Sequence, residues 1–128
     1  MMEPRPSSVA EIARRTCAGR SFEFELSDFL HEFARQKDYG MLTEPPVLLG
    51  ELVPNGGIQD AYLAAVAASL AASLGRSAPP WVRDSERVLR EPWFASPGRH
   101  MRALLLVESP AAFRERNLFV TANALSVA

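Results

Sequence analysis

Histidine, glutamate, serine and arginine are the side chains here that could do chemistry, and for the first three the spacing argues against it. His31-Glu32 opens like the zinc-protease helix motif, in which a second histidine four residues after the first shares the metal; Arg35 stands at that position. His100 lies far along the chain and Cys17 is the single cysteine, so neither a metal site nor a disulfide is expected. Gly56-Gly57 lacks the lysine and the third spaced glycine of a phosphate cradle, and reads as a turn. No serine has the flanking glycines of a nucleophile elbow. Glu23 and Glu25 would work as an acid-base pair only if desolvated, and on an amphipathic helix they are expected to be solvated. No catalytic residue and no cofactor is expected.

The arginines are the richer signal. Arg83, Arg87 and Arg90 recur at four and three residues and would share one helix face; Arg99 and Arg102 would share another. Trp81 and Trp93 flank them. Trp, Tyr and Arg dominate the few residues that carry protein interfaces, so Trp81, Arg83, Arg87, Trp93, Arg99, Arg102, Arg114 and Arg116 form the candidate partner-binding set. The competing readings are a solvated helix face for the arginines and core packing for the tryptophans, above all for Trp93 beside Phe94.

These side chains must be positioned by a mainly helical frame. Residues 1–7 read as a disordered lead, and Ser8 with Glu11 has capping-box spacing for a first helix to Ala18, stopped by Gly19. Phe22, Leu26, Phe29, Leu30 and Phe33 fall on one face of a second helix. Gly40 and Pro45-Pro46 break the chain into an irregular connection as far as Pro54-Asn55-Gly56-Gly57. Ile58, Tyr62, Val66, Leu70 and Leu74 step every four residues, with alanines on the other faces, which predicts a central helix ended by Gly75. A short helix from Asp84 to Arg90, then helices near Gly98 to Val107 and Ala111 to Arg116 started by Ser96-Pro97 and Ser109-Pro110, complete the set. Leu118 to Val120 suits an extended segment, and the uncharged tail can pack back.

The expected architecture is therefore all-α: residues 1–128 as one compact domain of about five or six helices around the Ala-rich one. A chain of 128 residues is long enough for one core, burying roughly 65% of the surface it exposes unfolded. The uncharged stretch from Ala61 to Gly75 would reach roughly 22 Å as a helix, short of a bilayer core of about 30 Å. Met1 to Arg15 mixes prolines, serines and charges where a secretory signal needs an apolar run, so a cytoplasmic location is expected. Thirteen of the fourteen basic residues are arginine and alanine occurs nineteen times, a bias that suits a GC-rich genome as well as a function. The net charge of -1 hides an acidic residues 1–75 and a basic residues 76–128, an asymmetry that can orient a partner although the net-acidic whole is a poor generic nucleic-acid binder.

In addition, the chain resembles a group of small actinobacterial proteins, and the C-terminal parts of longer helix-turn-helix regulators, encoded beside nucleotidyltransferase-like toxins of the abortive-infection type. The resemblance spans most of the chain. It rests on Phe29-Leu30-His31-Glu32-Phe33, Glu44-Pro45-Pro46, Asp60-Ala61-Tyr62-Leu63-Ala64-Ala65, Pro80-Trp81-Val82, Glu91-Pro92-Trp93-Phe94, the run Arg102 to Pro110 and the run Phe113 to Val120, in that order. It implies an antitoxin-like, non-enzymatic protein that binds a nucleotidyltransferase-type toxin and keeps it from modifying RNA, with a homodimer left open. The longer relatives begin with a DNA-reading helix-turn-helix, whereas residues 1–75 here carry no clear recognition helix. A small nucleic-acid-associated transcriptional regulator using the arginine stripes is the alternative reading.

Overall fold

A computed structural model describes residues 4–96 and 98–126. These form five α-helices, three 3₁₀ turns and one two-stranded parallel sheet, so the domain is mostly helical as the sequence pattern requires.

α1 (Val9–Cys17) starts where Ser8 Oγ accepts the Glu11 N–H at 3.0 Å. The Glu11 carboxylate reaches back one residue further than a capping box needs and takes the Ser7 N–H and hydroxyl. Residues 4–7, expected to be disordered, are instead laid along α1: Pro6 is buried and an Arg15 Nη donates to the Pro4 carbonyl at 2.9 Å. Residues 1–3 of that lead lie outside the described residues. α2 (Phe22–Gln36) buries Phe22, Leu26, Phe29, Leu30 and Phe33 on the expected face. Glu25 departs from expectation, because it is buried and receives Arg15 at 3.1 Å and Arg20 at 3.3 Å, pinning the end of α1 to the start of α2. Removing one partner of such a pair leaves an uncompensated buried charge, which is what makes it costly to break.

The connection to the next helix holds a 3₁₀ turn (Tyr39–Leu42) and an irregular stretch gripped by one side chain: Asp60 accepts the Leu49 N–H at 2.7 Å and the Gly50 N–H at 3.0 Å. α3 (Gly56–Ser73) is the centre of the fold, packing against α5 (Ala111–Arg114) and all three 3₁₀ turns. Alanine makes this approach possible. Ala61, Ala64, Ala65, Ala67 and Ala71 are fully buried, while Ile58, Tyr62 and Leu74 of the four-residue stripe are only half-buried. Phe22, Tyr62 and Phe113 form an edge-to-face chain, with centroids 6.2 and 5.1 Å apart, that joins α2, α3 and α5.

The expected Asp84 to Arg90 helix does not form. A 3₁₀ turn (Ser85–Arg87) stands in its place, preceded by another (Pro80–Arg83), and the backbone is extended at Val88. Its polar groups have other partners: the Leu89 N–H bonds the Arg116 carbonyl and the Asn117 side-chain amide bonds the Leu89 carbonyl. From there the chain enters β1 (Trp93–Phe94), which pairs in parallel with β2 (Leu118–Phe119), Trp93 opposite Leu118 and Phe94 opposite Phe119. α4 (Arg99–Glu108) lies between, contacting β2. Gly98, at φ 101°, is its N-cap rather than Ser96, a conformation that strains any residue with a Cβ; Pro97 lies outside the described residues. Ser109 also plays a different part from the one expected. It is the C-cap of α4, and its buried hydroxyl accepts the Val120 N–H at 2.8 Å and stands 2.6 Å from the Leu105 carbonyl, clipping α4 to the strand segment. Ala124 and Leu125 of the tail pack onto the core.

Candidate interaction surface

Three of the eight candidate interface residues belong to the interior. Trp81 is buried, donates its indole N–H to the Leu42 carbonyl at 2.9 Å, and offers its ring to the Arg87 guanidinium 4.8 Å from the centroid. Arg87 is buried as well: one Nη donates to the Pro46 carbonyl at 2.6 Å and Nε stands 3.9 Å from the Asp84 carboxylate. Burial lowers its pKa, opposed by Asp60, Asp84 and Glu86. Arg116 donates to the Ala112 and Val82 carbonyls at 2.7 and 3.0 Å, and burial lowers its pKa against Glu115. These three residues tie irregular backbone together and are corrected from anchors of a partner surface to anchors of the core. The sequence did hold a signal for this in its proline pairs, since Pro45-Pro46 and Pro79-Pro80 force irregular backbone whose carbonyls need donors from side chains.

With Arg87 inward and no helix from Asp84 to Arg90, Arg83, Arg87 and Arg90 form no basic stripe; Arg83 and Arg90 are exposed on turns. Arg114 is exposed at the end of α5. Trp93 is half-buried beside β2. Arg99 and Arg102 do stand together on α4, both exposed, and the Arg102 guanidinium lies 5.1 Å from the Phe94 ring centroid. Phe94 in turn stacks on Phe119 at 5.0 Å, so a layered Arg102-Phe94-Phe119 set edges the two-stranded sheet.

α4 is the anomaly of the fold. A helix on a domain surface normally turns its apolar residues inward, yet Leu105 is the one fully buried residue of α4. Leu104, Leu106 and Val107 are 45%, 49% and 78% exposed. Single exposed apolar residues are ordinary, but three on one ten-residue helix that also exposes Arg99 and Arg102 give its outer surface the mixed apolar and arginine character that partner surfaces show. These leucines and the valine were not among the residues chosen from the sequence, because apolar residues in a helical pattern read as core until the packing shows which side is covered.

A second feature lies elsewhere, a groove of about 450 Å³ between α2 and the start of α3, bordered by Trp93 and the tail at Ala124 and Ser126. Phe22, Leu26 and Tyr62 line it, with Gln59 among them. Burial raises the Tyr62 pKa, so its phenol stays protonated across the neutral range. His31 is on α2 with Nδ1 2.9 Å from the Ser27 carbonyl, and His100 is exposed on α4.

Among the described residues, no helix is long and apolar enough to cross a membrane. No family model, no curated protein and no solved structure matches this chain.

Proposed function

We propose that this chain is a non-enzymatic interaction protein, antitoxin-like, that binds and neutralises a nucleotidyltransferase-type toxin through the face built by α4 and the adjoining sheet edge. The observation that carries the interaction reading is the outward presentation of Leu104, Leu106 and Val107 beside Arg99 and Arg102. An aqueous surface gains nothing from that arrangement, whereas a partner that covers it gains apolar burial at roughly 25 cal/mol per Å². The choice of partner rests on the resemblance in the ordered motifs from Phe29 to Val120. The toxin would meet two exposed guanidiniums, and an acidic rim around an apolar centre is the complementary surface.

Calorimetry of the purified chain against the product of the neighbouring gene tests the proposal. Val107→Asp and Arg102→Ala are each expected to weaken binding by about 1 to 4 kcal/mol, with the melting temperature unchanged because both side chains are exposed. Unchanged affinity in both variants would move the interface elsewhere, and an adjacent gene product with no nucleotidyltransferase character would end the antitoxin reading. The alternative of a nucleic-acid-associated regulator loses the stripe from Arg83 to Arg90 on which it leaned.

A further inference from the structure

α4 carries two apolar stripes, and the fold covers one of them. Met101 and Leu105, four residues apart, are the covered ones, half-buried and buried respectively, on a helix that packs on β2. His100, Ala103, Leu104 and Val107 recur at spacings of three, one and three, which places them along a second stripe of the same helix, and all four are exposed. One apolar stripe is enough to seat a surface helix; a second is a seam on which another helix packs. Ala103 in its middle lets the two backbones come close, because interaxial distance follows the size of the side chains at the contact.

The charges at the ends of α4 select which helix fits. Arg99 opens it and Glu108 closes it, with no acidic residue in the first turn and no basic one in the last, so each charge stands at the end where the macrodipole disfavours it. An identical helix laid antiparallel relieves both conflicts, since the basic amino end of each copy then meets the acidic carboxyl end of the other. A parallel copy would set Arg99 against Arg99 and Glu108 against Glu108. We infer that the chain associates with a second copy of itself through the outward stripe of α4, as an antiparallel two-fold dimer. His100, Leu104 and Glu108 lie four residues apart on one ridge, so with Leu104 at the axis His100 of each copy stands against Glu108 of the other. The dimer is weak, with Kd on the order of 100 μM, because one ten-residue helix per copy is a small contact beside the roughly 20 to 30 residues a side of a standard interface. This assignment rests on the reading of α4 as an interaction surface and names its occupant when no other protein is present.

Sedimentation of the whole chain alone, from about 10 μM to about 1 mM, should show the mass rising from one copy towards two. Leu104→Asp, which brings two carboxylates together at the axis, should weaken association at least about tenfold, and Glu108→Arg at least about fivefold. Adding His100→Glu to Glu108→Arg should restore the dimer, a rescue that only facing residues give. All three positions are exposed, and melting curves identify any variant that loses its fold; if Leu104→Asp does, the charge exchange at His100 and Glu108 still decides the matter. A chain that stays monomeric to about 1 mM, a folded Leu104→Asp that still dimerises, or an exchange without rescue would each overturn the assignment. The toxin reading is tested with the neighbouring gene product instead, so either can fail without the other.

Discussion

Trp81 and Arg102 show how one residue signature leads to opposite roles. Both belong to the tryptophan-arginine set of the C-terminal third, yet Trp81 is sealed beneath the Leu42 carbonyl and the Arg87 guanidinium while Arg102 lies open over Phe94. Trp81→Ala removes a buried ring, its hydrogen bond and the platform of a buried cation, and should cost about 3 to 5 kcal/mol, seen as a large fall in melting temperature. A near-native melt would show that the loop at Leu42 does not depend on it. Glu11 offers a pH test. Burial disfavours its ionised form, but the hydrogen bonds from Ser7 and the charge and hydrogen bond of Arg15 outweigh that, so its pKa lies below the ordinary 4.5. A depressed folded-state pKa means that the contribution is present above the ordinary value and is lost as pH falls through the lowered one. Between about pH 6 and pH 3 the melting temperature should therefore fall more steeply for the native chain than for Glu11→Gln. Parallel curves would show that the ionised Glu11 gains no net stability from its Ser7 and Arg15 contacts.

At the scale of elements, the first turn of α3 is the tightest joint. A Cβ on Gly56 would lie 2.0 Å from the Leu49 carbonyl oxygen and 2.4 Å from its carbon, and these are backbone atoms that Asp60 holds in place. One position later, a Cβ on Gly57 would meet nothing within 4 Å. Gly56→Ala is thus expected to destabilise by more than about 2 kcal/mol, whereas Gly57→Ala should be neutral or stabilising by up to about 1 kcal/mol, since alanine loses less entropy in a helix. Urea melts of the two variants side by side decide it, and similar midpoints would mean that the loop yields. The same joint explains why α3 is buried nearly all round: its alanines admit the 3₁₀ turns and α5 at close range, and Asp60 supplies the buried backbone of the loop with acceptors.

Across the whole molecule, the exposed apolar residues of α4 fall in the basic part of the chain, whereas Phe24, Val47, Leu48 and Leu52 are exposed in the acidic part. The basic balance of residues 76–128 is carried at the surface by Arg76, Arg83, Arg90, Arg99, Arg102 and Arg114, once Arg87 and Arg116 are counted with the core. An acidic partner should therefore associate with the chain faster at low salt, and rate measurements across a salt series are expected to show association slowing as ionic strength rises while dissociation changes little. Salt-independent association would leave the apolar patch as the sole contributor.

Much of the frame was legible in the sequence because local chemistry dictates it. Ser8 caps α1, the Phe22 to Phe33 spacing makes α2, the alanines from Ala61 to Ala71 make a helix that others can crowd, and Leu118-Phe119 is extended. Each depends on neighbours within a turn or on a period of 3.6 or 2. What the sequence left open are choices between burial and exposure where one residue type suits both. Whether Arg87 faces water or the Pro46 carbonyl depends on a loop 41 residues away, and whether Leu106 faces the core or solvent depends on which side of α4 the strand segment covers. Even the helix expected from Asp84 to Arg90 was lost to a distant competitor, the Arg116-Asn117 backbone and side chain that bond to Leu89. Long-range hydrogen bonds and packing settle such choices, because a buried polar group must find its partner wherever the fold brings one.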